Sequence, residues 1–135
     1  MNEKLKQKLR EEIVKLPKEH QNVINAFDWG KISEEVGNLN LLDEDEIKDL
    51  QTEVGLVLVG LEDQDLLALN IENNVGTSKI EAIKITAEVN QQIFKPMLEQ
   101  LELLAKNNLN SKNQSWNQRI NFIVSGGDYS SFMEK

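Results

Sequence analysis

Cysteine is missing from all 135 positions. That excludes disulfides, thiolate metal sites and cysteine nucleophiles, and removes any need for an oxidising compartment. Histidine occurs once, as His20, so imidazole triads and most metallo-hydrolase sites lack their usual base. Proline stands only at Pro17 and Pro96, and aromatic residues make up 5% of the chain. The longest apolar stretch, Leu56 to Leu61, is six residues with Gly60 inside it, far short of the ~20 that a membrane-spanning helix needs. Met1 to Leu16 never places more than two apolar residues together, unlike the apolar run of a secretory leader. These absences lead to the expectation of a soluble, cytoplasmic chain with no membrane span, cofactor or metal.

Charge is what the sequence has in quantity, and it is unevenly spread. The formal balance is −8. Residues 1–20 carry six Lys/Arg against four acids, whereas residues 28–72 carry thirteen acids against only Lys31 and Lys48. An acidic middle repels phosphate backbones and disfavours nucleic acid as a partner. It suits a basic protein partner, although a solvated helix surface has the same composition.

Helix signals dominate the first 107 residues. Leu5, Leu9, Ile13 and Leu16 share one face of a first helix. Pro17 suits a helix start, and Val23, Ile24 and Phe27 follow as the apolar positions of a second. Asp28 reads as an N-cap for a helix through Val36, with Gly37 and Asn38 supplying its left-handed stop. Asp43 with Glu46 forms a capping box for a central helix whose stripe is Ile47, Leu50, Val54, Val57, Leu58 and Leu61. Gly55 inside that helix implies a close crossing with a neighbour, since glycine there costs ~1 kcal/mol relative to alanine. Asp63 caps a fifth helix with Leu66, Leu67, Leu69, Ile71 and Val75 inward, ended by Gly76. Ser78 with Glu81 opens a sixth, with Ala82, Ile83, Ile85, Ala87, Val89, Ile93 and Phe94 as its wide apolar face. Pro96 breaks or bends it, and Met97, Leu98, Leu101 and Leu104 continue in a seventh segment. The expected fold is all-α, a compact orthogonal bundle of six to seven short helices over residues 1–107.

Residues 107–118 then contain five Asn, two Gln and two Ser, a composition that buries little. Beyond it lie Trp116, Phe122, Tyr129, Phe132 and Met133. Residues 108–135 are therefore read as a polar linker and an aromatic-containing tail. Those five large side chains either fold back on the bundle or dock on a protein partner, because aromatic anchors supply much of the energy in interfaces.

The pairs Leu16-Pro17 and Val23-Ile24 with Ala26, the run Leu56 to Leu61, and the stretch Glu88 to Pro96 carry a resemblance. Over roughly residues 16–100 the chain resembles small uncharacterised helical proteins of candidate phyla radiation bacteria. The resemblance implies a helical bundle and brings no activity or site with it.

Val75-Gly76-Thr77-Ser78-Lys79 lacks the earlier glycine and the preceding strand of a phosphate-binding loop. The same residues suit a helix–hairpin–helix turn, in which Gly76, Thr77, Ser78 and Lys79 would contact a phosphate with help from Lys84. Asn74 stands where the first glycine of such a hairpin belongs, and the surrounding charge is adverse. Counting a calcium loop from Asp43 puts Lys48 and Val54 where glycine and glutamate are required. His20 has no ligand-spaced companions and reads as a surface or packing residue. By elimination the expected function is a non-enzymatic helical protein-interaction module or adaptor. The alternative is a weak nucleic-acid-binding domain using the turn at Gly76.

Overall fold

The computed structural model describes residues 3–104, and every element in them is helical. In chain order these are α1 (Glu3–Ile13), α2 (Lys18–Ala26), α3 (Trp29–Leu39) and α4 (Glu44–Leu58). A 3₁₀ turn (Gln64–Leu66), α5 (Leu67–Asn70) and a π-turn (Ile71–Val75) then run on without a break. Next come α6 (Lys79–Val89), a second π-turn (Asn90–Phe94) and α7 (Lys95–Leu104). The all-α fold read from the sequence is the fold observed. The five large side chains from Trp116 to Met133, and the division at residue 107, lie outside the described residues.

α4 is the axle of the bundle. It is touched by α1, α3, α5 and the first π-turn, and Leu50, Val54 and Val57 are fully buried on it. Its start is chemical and local. Asp43 accepts the amide of Glu46 at 2.8 Å, and Glu46 accepts the amide of Asp43 at 2.8 Å, so two unpaired donors of the first turn are satisfied. Gly55 lets two neighbours close in on the axle. A Cβ there would lie 2.8 Å from Leu9 Cδ1 of α1 and 3.1 Å from Trp29 Cη2 of α3, which is the crossing that its place in the helix implied. Gly60, at φ +83°, turns the chain out, with the amides of Gly60 and Leu61 bonded back to Val57 and Leu56.

The end of α3 departs from expectation. Gly37 and Asn38 do not stop it: the helix continues to Leu39, and Asn40 is the C-cap. Gly37 serves packing instead, since a Cβ there would come within 2.6 Å of Ile47 Cγ1 on α4. The left-handed position falls on Leu41, at φ +61°. The amide of Leu42 reaches back to Gly37 and that of Leu41 to Asn38, the paired bonds of a Schellman stop. Leu42 then tucks into the core while Leu41 is 91% exposed.

The second half packs around Ile85, Val89, Ile93, Phe94, Met97 and Leu101, all essentially inaccessible. Pro96 does not interrupt the helical run, which passes from the second π-turn directly into α7. It has no N–H to give to residue 92, and its ring crowds that carbonyl. The chain widens into the π-turn immediately before it, with the Lys95 amide bonded to Asn90. His20, on α2, is entirely buried, a packing residue rather than a surface one.

Candidate functional site

The turn that sequence offered for phosphate contact is well formed, but several of its donors are engaged. Gly76 sits at φ +92° and Ser78 caps α6, accepting the Glu81 amide at 3.1 Å. The Ser78 amide donates to Glu81 Oε1 at 3.3 Å, and the Thr77 hydroxyl donates to the Ser78 carbonyl at 3.0 Å. Lys79 is exposed. An incoming phosphate meets the Glu81 carboxylate, which already occupies the favourable end of the helix dipole. The docking residues proposed for the tail, Trp116, Phe122, Tyr129, Phe132 and Met133, lie outside the described residues.

What periodicity placed in the core, the structure places in part on the surface. Ile83 is 53% exposed, Leu66 51%, Leu69 53% and Leu61 49%, contrary to the sequence reading of all four. The reason lies in what flanks each helix. Only Ala82, Ile85 and Val89 of α6 point inward, so Ile83 falls outside a narrow buried stripe. Likewise Leu67 and Ile71 take the inner face of their segment, leaving Leu66 and Leu69 on the outer one.

These exposed side chains lie on adjoining elements. Asn40 of the α3 end donates to Glu88 at 3.0 Å, while Gln64 donates to Asn90 at 3.0 Å. Glu88 and Asn90 point to opposite flanks of α6, so α3 lies on one side and the 64–70 segment on the other. Ile83 is seven residues before Asn90, hence on the same flank, the side on which α5 packs. Ile80, 81% exposed, lies one turn earlier on α6. Leu66 and Leu69 on one segment and Ile80 and Ile83 on the other are thus exposed apolar side chains on two helical segments that pack together. Exposed apolar side chains gathered on neighbouring elements mark interaction sites more often than scattered ones do.

Beneath this side of the molecule is a buried acid. Glu53 of α4 is 4% exposed, and its Oε1 has no hydrogen-bond partner. Asn74, in the first π-turn, donates to Oε2 at 3.4 Å, and Asn70 donates to Glu62 Oε2 at 3.0 Å. Burial pushes the Glu53 carboxyl up to about 8, and the Glu62 carboxyl beside it and Asp49 push the same way. At neutral pH Glu53 is therefore protonated. Sequence reading missed this pair. Its only trace was the placement of Glu53 next to Val54 on the inner side of the most buried helix.

Among the described residues no cluster of His, Asp and Glu is arranged to hold a metal ion, and no helix is long and apolar enough to cross a membrane. No protein-family model, curated protein or solved structure matches this chain.

Proposed function

We propose that the protein is a helical interaction module, a non-enzymatic adaptor that meets a protein partner through the exposed face of α5 and α6. The observation that carries this reading is the exposure of Leu66, Leu69, Ile80 and Ile83, each at least half exposed on packed elements whose inner faces are already filled. Four large apolar side chains kept in water contribute little to the fold, and burying each against a partner is worth roughly 1–2 kcal/mol.

A photo-crosslinking residue at Ile83, with a second at Val14 as a remote exposed control, tests this in cells expressing the full chain. A discrete protein adduct from position 83, absent from position 14 and lost when Leu69 is changed to serine, is the expected result. Adducts from both positions alike, or from neither, overturn the reading.

A further inference from the structure

We infer that the cleft between α1 and the corner joining α2 to α3 binds a small aromatic carboxylate, its ring against Phe27 and Trp29 and its carboxylate between Lys6 and Arg10. This goes beyond the interaction reading, because the cleft shares no residue with α5 or α6.

The cleft holds about 480 Å³, within the ~300–1,000 Å³ of small-molecule sites. Its walls follow from how three elements meet. Gly55 lets Leu9 of α1 and Trp29 of α3 close on one point of α4, and Phe27, extended at φ −108° and ψ 133°, carries the chain from α2 towards α3. Leu9, Ile13, Phe27 and Trp29 supply the apolar lining. Leu9 is buried and the other three are half-buried, so an apolar body seated there takes from water a surface that the fold leaves partly wet. Phe27 and Trp29 favour a planar ring, met edge-on or offset.

Charge sets the other half of the ligand. Lys6 and Arg10 stand one turn apart on α1 and both line the cleft. Among the described residues neither makes an ion pair or a side-chain hydrogen bond, in a chain with eight more acids than bases. Asp28 is the one acid lining the cleft among the described residues, and its Oδ1 accepts the Lys31 amide at 3.2 Å. Two free cations thus face one engaged acid. The guanidinium of Arg10 offers parallel N–H groups that match both oxygens of a carboxylate.

Gly30 separates a built cleft from loose packing. It lies in the first turn of α3 and lines the cleft, its carbonyl held by Gln51 Nε2 at 2.8 Å. A Cβ there would meet nothing nearer than Gln51 Nε2 at 4.0 Å, and its φ is not positive. Neither a close approach nor a left-handed turn requires glycine at this place, and alanine is the better helix former. The missing side chain keeps this wall of the cleft open.

The probe is β-naphthoate, titrated into the isotope-labelled full chain and followed by amide and indole N–H resonances, with neutral β-naphthylmethanol as the comparison. Trp116→Phe leaves Trp29 as the one indole. Naphthoate is expected to shift the Trp29 indole signal and the amides of residues 6–13 and 27–30, and to bind about tenfold more tightly than the alcohol. Lys6→Ala with Arg10→Ala should abolish that preference, and raised salt should narrow it. Gly30→Ala should weaken binding about threefold or more while raising the melting temperature, which also checks that each variant is folded. Ile83→Ser should change nothing.

Equal affinity for acid and alcohol overturns the carboxylate. Shifts confined to other residues, or full binding by the Gly30→Ala protein, overturn the seat. No saturable shift from either compound at millimolar concentration overturns the inference outright. The crosslink at Ile83 judges the interaction reading separately in every case.

Discussion

The turns that lead into α4 and into α6 follow one plan with different fillings. Each has a left-handed residue, then a spacer, then an N-cap with a complete capping box: Leu41, Leu42, Asp43 with Glu46, against Gly76, Thr77, Ser78 with Glu81. In each, a residue shortly before the left-handed position bears on α4. Gly37 presses on Ile47, a dry contact that only a missing side chain permits. Asn74 reaches Glu53, a polar contact with a buried acid. The comparison teaches that the backbone plan is set by local hydrogen bonding, whereas the residue at each place is decided by what the turn packs against.

The polar contact should show the larger effect, through pH. Glu53 titrates at about 8 in the folded chain, against an ordinary value of 4.5, so between those limits the folded state holds a proton that the unfolded chain has released. Its contribution to stability is complete below pH 4.5 and is lost as pH rises towards 8. Denaturant melts across that window should show stability falling by about 1.4 kcal/mol per pH unit from this group, and Glu53→Gln should remove most of the slope. An unchanged slope in the variant would mean that the acid is not protonated where it sits.

On the dry side, Gly37→Ala should cost about 1–3 kcal/mol, because Ile47 must move to admit a methyl group. The two left-handed positions make the most direct contrast. Leu41→Gly should stabilise by about 1 kcal/mol, since glycine has no Cβ to strain at positive φ and Leu41 gives up almost no burial. Gly76→Ala should cost about the same amount although nothing lies within 4 Å of its added carbon. Equal and opposite shifts in melting temperature would confirm that conformation alone separates the two turns. Smallest of all, Leu69→Ser and Ile83→Ser should each stay within about 0.5 kcal/mol, as surface positions do. A cost of 2 kcal/mol or more, typical of buried leucine and isoleucine, would return them to the core.

How much of this was legible in the sequence follows the same division. Asp28, Asp43, Asp63 and Ser78 were readable as caps, and Gly76 as a stop, because a cap is made by residues a few positions apart. Leu41 was not, since the usual left-handed residue, glycine, was in view at Gly37 and was used for packing instead. Ile83, Leu66 and Leu69 were misread for a related reason. Periodicity gives a helix its apolar face, but the width of the buried stripe is set by neighbours distant in sequence. Glu53 was invisible because a glutamate at the edge of a helical stripe looks solvated until Glu62 and Asn74 are brought over it. The candidate surface was thus legible only as a failure of the core assignment, while the all-α fold was legible almost throughout.

The buried acid also makes folding an exchange with the solvent. Near pH 6 the chain takes up close to one proton at Glu53 as it folds and returns it on unfolding. The buffer absorbs what is returned, so the heat of unfolding measured by calorimetry includes the buffer's own ionisation. Melts at one pH in a buffer of small ionisation enthalpy and in one of large ionisation enthalpy should differ in apparent enthalpy by nearly one proton's worth, and for the Glu53→Gln protein that difference should be smaller by about that amount.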